Sequence, residues 1–202
     1  MLQFKTIEPG TLKLLKELQS LHFLQEARLV GGTALALQLG HRKSIDLNYF
    51  GKIDVEPESL RKILSETHSI TIVQESKDIN IYLIDGIKVD FVNYRYSWID
   101  APVNDNGVVL AGIKDIAAMK INAVIGRGTK KDFIDLFFLL RRFTLQEMLD
   151  MYIQKYPEGS LFIAMKSLSY FEDAESDPMP VMLSPADWNT VKAKIRKAIA
   201  KL

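Results

Sequence analysis

Three short stretches of this 202-residue chain combine residue types that handle phosphate and hard cations. Gly31-Gly32-Thr33 follows the apolar pair Leu29-Val30 and opens a helical pattern. Glycines between a strand and a helix let an anion approach backbone N–H groups. The helix N-terminus favours negative charge, and a threonine hydroxyl adds a donor. Asp46-Leu47-Asn48 lies shortly after, on an alternating run from Ile45 to Phe50. Residues two apart on a strand share a face, so Asp46 and Asn48 offer two oxygens to a cation such as Mg²⁺. Asp90 is the third feature, in Ile87-Lys88-Val89-Asp90-Phe91. Val89 and Phe91 are apolar, so Asp90 shares the opposite face with Lys88 and would complete a metal site beside Asp46. Taken singly, each has a commoner explanation: a tight turn, a solvated strand face, an exposed hairpin face.

The elements that must position these residues are legible from periodicity. Leu12, Leu15, Leu18 and Leu21 recur at helical spacing, and Thr33 to Leu39 forms a helix ended by Gly40. A helix is predicted over 57–66 and a strand over 69–74. Ile79 to Ile84 and Ile87 to Val92 flank Asp85-Gly86 as a hairpin. Residues 101–107 gather turn formers, so they are expected to be a hinge, and the chain beyond is expected to be almost wholly helical. Predicted helices there span 115–125, 130–141 and about 144–155, the last opened by a Thr144/Glu147 capping box. An acidic surface loop over 172–180 precedes a final helix over about 185–201, capped by Ser184 with Pro185 in its first turn. The expectation is an α/β domain over residues 1–105 followed by a helical domain over 106–202.

Composition removes several function classes. There is no cysteine, which excludes disulfide scaffolds, thiolate metal sites and cysteine nucleophiles. The three histidines, His22, His41 and His68, are widely spaced and offer little to a histidine metal site. The formal net charge is +1, unlike that of a protein that coats DNA, and no DNA partner is expected. No signal peptide is evident and no apolar run reaches the ~18 residues of a membrane helix, so a cytoplasmic protein with no membrane partner is expected.

Together, the order Gly-Gly-Thr, Asp-x-Asn, later Asp resembles the DNA polymerase β-like nucleotidyltransferase superfamily. The block from Leu29 to Leu47 is similar to the signature of AbiEii/AbiGii-type nucleotidyltransferase toxins. So is the later block Asp115-Ile116-Ala117-Ala118-Met119-Lys120 with Arg127 through Leu136. This resemblance implies an α+β fold, a nucleotidyltransferase mixed sheet flanked by helices and followed by a helical domain. It implies that Gly31, Gly32 and Thr33 hold the triphosphate, that Arg42 and Ser44 meet nucleotide phosphates, and that Asp46, Asn48 and Asp90 ligate Mg²⁺ or Mn²⁺. Lys120, Arg127 and Lys131 would face the same nucleotide, with Asp132 catalytic beside Lys131. Asp135 would position Lys131, the acceptor or a metal-bound water. From the residues alone, Lys130, Lys131 and Asp132 also read as a solvated first turn, and Asp135 as an i, i+4 partner of Lys131. His41 reads as structural or phosphate-adjacent, and Phe133, Leu136, Phe137 and Leu140 as core.

The family carries Asp-x-Asp where this chain has Asp46-Leu47-Asn48. An amide gives a metal one neutral oxygen and bridges two cations poorly. The leading expectation is a metal-dependent toxin of the type IV toxin–antitoxin (abortive infection) kind, moving NMP from an NTP to an acceptor such as tRNA, with a cognate antitoxin. A weakened or inactive nucleotide-binding or partner-binding member and an antibiotic-modifying nucleotidyltransferase are the alternatives. The basic C-terminal run (Lys192, Lys194, Arg196, Lys197, Lys201) fits RNA contact and, more commonly, a solvated face.

Overall fold

A seven-stranded mixed sheet forms the centre of the computed structural model, which describes residues 1–202. In chain order the elements are α1 (Pro9–Gln19), β1 (Ala27–Leu29), α2 (Gly31–Leu39), β2 (Leu47–Gly51), α3 (Pro57–Ser65) and β3 (Ile70–Gln74). There follow β4 (Ile79–Ile84), β5 (Ile87–Asn93), β6 (Val103–Asp105) and β7 (Val108–Leu110). The remainder is α4 (Ile113–Gly126), α5 (Lys130–Leu139), α6 (Leu145–Lys155), α7 (Leu161–Ser169), the short α8 (Glu172–Glu175) and α9 (Trp188–Ile199). Strand order is β3-β4-β5-β2-β1-β7-β6, with β2 parallel to β5 and β1 parallel to β7. The α+β class is as expected.

Alternation along β2 and β5 creates two different faces. Leu47, Tyr49, Val89 and Phe91 are buried in the core, and Asn48, Phe50, Lys88 and Asp90 point the other way. Helix α2 is apolar on every side and lies in the middle of the molecule, with Ala34, Leu35, Ala36 and Leu37 all buried. Gly40 ends it in the left-handed conformation that releases the chain toward Asp46.

The expected hinge at 101–107 is instead a hairpin. Val103–Asp105 pairs antiparallel with Val108–Leu110 around Asn106-Gly107, both at positive φ. Asn-Gly between apolar strands is a strong hairpin signal, but three-residue strands are too short to show alternation. Because β7 then pairs with β1, the sheet runs through Leu110, and a division at residue 105 cuts this hairpin. Three further expectations change. Helix α7 was not expected from periodicity, since its Leu161-Phe162-Ile163 run is exposed and lacks a clean stripe. Part of the expected acidic loop is helix α8. Helix α9 starts later than predicted because the Asp187 carboxylate, not Ser184, accepts the capping N–H, that of Thr190. The Thr144/Glu147 capping box opens α6 as expected.

Candidate active site

A cavity of about 1020 Å³ opens between the polar face of β2 and β5, the start of α2, and helices α4, α6 and α7. Its floor begins at the Gly31-Gly32 turn. Gly31 takes φ +73, and a side chain there would press on the Asn48 amide at 3.1 Å. A Cβ on Gly32 would collide with the Arg42 guanidinium. Both positions therefore need glycine, one for conformation and one for space.

The residues singled out in the sequence gather here, but in two layers. Facing the cavity are Gly31, Gly32, Asp46, Asn48, Lys88, Asp90, Arg127 and Lys131. Asn48 and Asp90 are register partners on adjacent parallel strands, and Asp46 precedes Asn48 by two residues. The Lys131 ammonium is 4.0 Å from Asp46 Oδ2, and both side chains are nearly half exposed. On Asp90, Lys88 Nζ donates to Oδ2 at 3.0 Å and lies 2.8 Å from Oδ1, which makes no aligned hydrogen bond.

The second layer lies beneath the first, and its polar groups are already committed. The Thr33 hydroxyl donates to the Asp46 carbonyl and is 2.8 Å from Ser44 Oγ. It clamps the glycine turn to the acidic strand rather than offering a free donor, because Thr33 is buried. Arg42 donates from Nε and Nη2 to the two oxygens of Asp135 at 2.7 and 2.8 Å. His41 Nε2 is 2.8 Å from the same carboxylate. Lys120 Nζ lies 2.6 Å from Asp135 and 3.1 Å from Asp132, and so sits below the cleft surface instead of projecting into it. Asp132 also accepts from Arg127 Nε at 2.8 Å and from the Thr129 hydroxyl at 2.6 Å. Two expectations therefore change. Asp132 and Asp135 are fully buried rather than part of a solvated turn, and Asp135 pairs with Arg42, His41 and Lys120, not with Lys131.

Electrostatics separates the layers further. Burial alone would raise the Asp132 and Asp135 carboxyls. The cations around them outweigh it, Lys120 and Arg127 at Asp132 and Lys120 and Arg42 at Asp135, and hold both well below the usual carboxylate range. Burial lowers His41 despite its bond to Asp135, so it stays neutral near pH 7. The two buried carboxylates therefore face three cations, Arg42, Lys120 and the half-exposed Arg127. Six cationic and three acidic side chains line the cavity, and the buried Asp132 and Asp135 that pair with Arg42, Lys120 and Arg127 bring the balance to six against five. The small cationic surplus beside the glycine turn favours negative charge there.

The fit to a hard cation is narrower. No cluster of three or more His, Cys, Asp or Glu side chains exists anywhere in the chain that could hold a metal ion. Asp85 cannot compensate for Asn48, because it sits in the β4–β5 turn and accepts from His68 and the Ser69 N–H. Asp54 does not line the cavity. What remains is Asp46, the Asn48 amide oxygen and Asp90 on one face, with Asp90 Oδ1 lacking an aligned hydrogen bond while the Lys88 ammonium lies 2.8 Å from it. That set suits one Mg²⁺ or Mn²⁺.

Several cavity residues are not among those expected from motifs. Phe50, Tyr94, Tyr96, Tyr152 and Tyr156 form an aromatic end, with the Tyr94 and Tyr156 hydroxyls 2.8 Å apart and Tyr96 donating to Glu158. The alternation Tyr94-Arg95-Tyr96-Ser97-Trp98 is the one local clue to it. The opposite wall comes from near the C-terminus. Val181 accepts from the Lys43 N–H and His41 accepts from the Leu183 N–H, which brings Pro180 and Val181 to the cavity edge. Helix α9, with its basic run, does not border the cavity, and Lys192 is paired with Glu175.

Comparison with known proteins identifies the family and the fold. The family described as nucleotidyl transferase AbiEii toxin, Type IV TA system, matches residues 13–201. An uncharacterized protein of Aquifex aeolicus, aq_aa25, is 39% identical over 169 residues, covering 81% of this chain and 82% of its own. Among solved structures, MenT4, the nucleotidyltransferase toxin Rv2826c of Mycobacterium tuberculosis H37Rv, superposes with a TM-score of 0.61 at 15% identity, covering 93% of this chain and 82% of that one. A Helicobacter pylori structure described as a nucleotidyltransferase gives 0.60 at 18% identity over 96% and 97% of the two chains. JHP933 from the same species gives 0.56 at 16% identity over 97% and 94%. With the family matched over nearly the whole chain and its fold shared by these neighbours, the chain belongs to the AbiEii nucleotidyl transferase toxin family of type IV toxin–antitoxin systems and is a nucleotidyltransferase.

Proposed function

We propose that the cavity binds an NTP with its triphosphate on the Gly31-Gly32 turn and its base toward the aromatic end, and transfers NMP to a nucleic-acid acceptor, tRNA being the leading candidate. The observation that carries this reading is the excess of cationic side chains around a glycine turn that opens beside Asp46 and Asp90. Backbone N–H groups at the start of α2 receive phosphate oxygens, and Lys131 offsets the charge of the departing pyrophosphate. Asp46, Asn48 and Asp90 would hold Mg²⁺ or Mn²⁺, which when bound polarises the α-phosphate and neutralises its charge. Arg42, Thr33 and Ser44 keep the turn in place, and Lys120 with Asp132 and Asp135 hold Arg42 and Arg127. An acceptor hydroxyl oxygen bonds to the α-phosphorus as the bond from that phosphorus to the α–β bridging oxygen breaks, pyrophosphate leaves with the bond's electron pair, and the hydroxyl proton passes to solvent.

No helix is long and apolar enough to cross a membrane. A cytoplasmic protein restrained by a cognate antitoxin fits both that and the family. Asn48 supports a second reading, a weakened member that binds nucleotide and turns over poorly. Incubation with each α-labelled NTP, total tRNA and Mg²⁺ or Mn²⁺ tests both. Label on tRNA that is lost in Asp46→Ala supports transfer. Label only with Asn48→Asp supports the weakened member. Label on an aminoglycoside and never on RNA overturns the nucleic-acid acceptor.

A further inference from the structure

The polar face of β5 carries a cation where the chemistry of the site leads one to look for anions. Strand alternation puts Lys88 and Asp90 on the same side, and Lys88 Nζ donates to Asp90 Oδ2 at 3.0 Å. The other oxygen, Oδ1, is buried and has no aligned hydrogen bond although the ammonium is 2.8 Å away. Its register partner across the sheet is Asn48, which brings an oxygen but no charge. On the remaining side Asp46 faces the Lys131 ammonium at 4.0 Å.

We propose that Lys88 is a built-in cation of this site, and that together with Asn48 it limits the acidic face to a single divalent ion. The inference rests on the nucleotidyltransferase reading of the cavity and deepens it. Both carboxylate oxygens of Asp90 lie within 3.0 Å of the Lys88 ammonium and only Oδ1 lacks an aligned hydrogen bond, so Asp90 has at most one ligand position to give and not a bridge. Asn48 cannot bridge either, because a neutral amide oxygen shared between two dications leaves their repulsion uncompensated. Two divalent ions would place four positive charges beside the Lys88 and Lys131 ammonium groups against only the charges of Asp46 and Asp90. One ion, with Lys88 supplying the further positive charge beside it, balances the face far more closely. Lys88 acts through Asp90 and through charge, as a positioning residue.

The test is Mn²⁺ binding to the full chain without nucleotide, followed by electron paramagnetic resonance and calorimetry. The unmodified protein and Lys88→Arg are expected to bind one Mn²⁺ per chain with similar affinity. Lys88→Met, which removes the charge and keeps the stem, is expected to bind its ion about ten-fold more tightly. Lys88→Met combined with Asn48→Asp is expected to bind two. Two ions on the unmodified chain overturn the proposal, as does weaker or unchanged binding by Lys88→Met in a protein whose circular dichroism and melting are unaltered. Absence of Mn²⁺ binding by every variant also overturns it. Binding of NTP in chelator, read separately, tests the nucleotide site. Loss of that binding with one Mn²⁺ still bound would overturn the nucleotide reading and leave the ion count standing.

Discussion

Helix α4 carries two buried charges, Asp115 and Lys120, and each anchors an ion cluster of a different kind. Asp115 meets Lys155 at 2.7 Å and accepts the N–H groups of Ile99 and Asp100 at 2.9 and 3.0 Å. Lys155 also donates to the Ser97 carbonyl at 3.0 Å and lies over the Tyr94 and Trp98 rings. One anion faces one cation, both are hydrogen-bonded, and the result ties the 94–100 segment to α4 and α6. The Lys120 cluster is open by contrast. Its cations outnumber its carboxylates, and Arg42 reaches from it to the underside of Gly32. A buried pair whose charges close is a fastener. A cluster with a surplus cation under a glycine turn has positive charge left over for a ligand.

Removing one partner from each cluster should separate the two designs. Asp135→Asn leaves Arg42 and Lys120 facing one fewer carboxylate, and the expected loss is about 3–5 kcal/mol, read by urea unfolding. Lys155→Met is expected to cost somewhat less, because Asp115 keeps two backbone donors. Adding Asp115→Asn to it should recover much of the loss, as replacement of a whole buried pair often does. Recovery by a matching double change at Asp135 and Arg42 would erase the distinction, since that pair is one part of a larger network.

Lys131→Ala should do the opposite of Asp135→Asn. Its side chain is half exposed, so stability should stay within about 0.5 kcal/mol while nucleotide transfer falls roughly 100-fold. A melting-temperature drop comparable to that of Asp135→Asn would place Lys131 in the structural layer. Gly32→Ala adds a Cβ against Arg42 Nη2 and should weaken NTP binding about ten-fold by moving that guanidinium, with a stability cost of about 1–3 kcal/mol. Unchanged NTP affinity would disconnect Arg42 from the turn.

The smallest effect is on pH dependence. Asp132 and Asp135 have depressed folded values, so their contribution is full above the unfolded carboxyl range near pH 4 and is lost as the pH falls toward those lower values. His41 is also lowered, by burial, so folding favours its neutral form. Its contribution is full above about pH 6.5 and declines as pH falls through the folded value. Melting temperatures from about pH 8 to 5 should therefore fall more in the unmodified protein than in His41→Gln. Identical slopes would show that His41 titrates alike in folded and unfolded chains.

What the sequence reveals and what it hides divides by range. Alternation in β2 and β5 and the Asp85-Gly86 turn are local, so the shared face of Asp46 and Asn48, and that of Lys88 and Asp90, can be read from residue order alone. The partnership of Asp135 with Arg42 spans 93 residues and has no local trace. A charged triplet at the start of α5 looks solvated until tertiary packing covers Asp132 and leaves Lys131 out. The short β6 and β7 strands hold too few residues for a period, and the exposed Leu161-Phe162-Ile163 run of α7 obscures its buried Ala164 and Leu168. The aromatic end is hidden for another reason. Its rings come from β2, the loop after β5, and α6, and only the fold puts them together.

The backbone strap between His41–Lys43 and Val181–Ser184 has a bearing on when the molecule becomes competent. A chain growing from its N-terminus lays down the glycine turn and the acidic strand early, and the wall formed by Ile163, Pro180 and Val181 emerges last. The cavity is whole only once the chain through Val181 has been made.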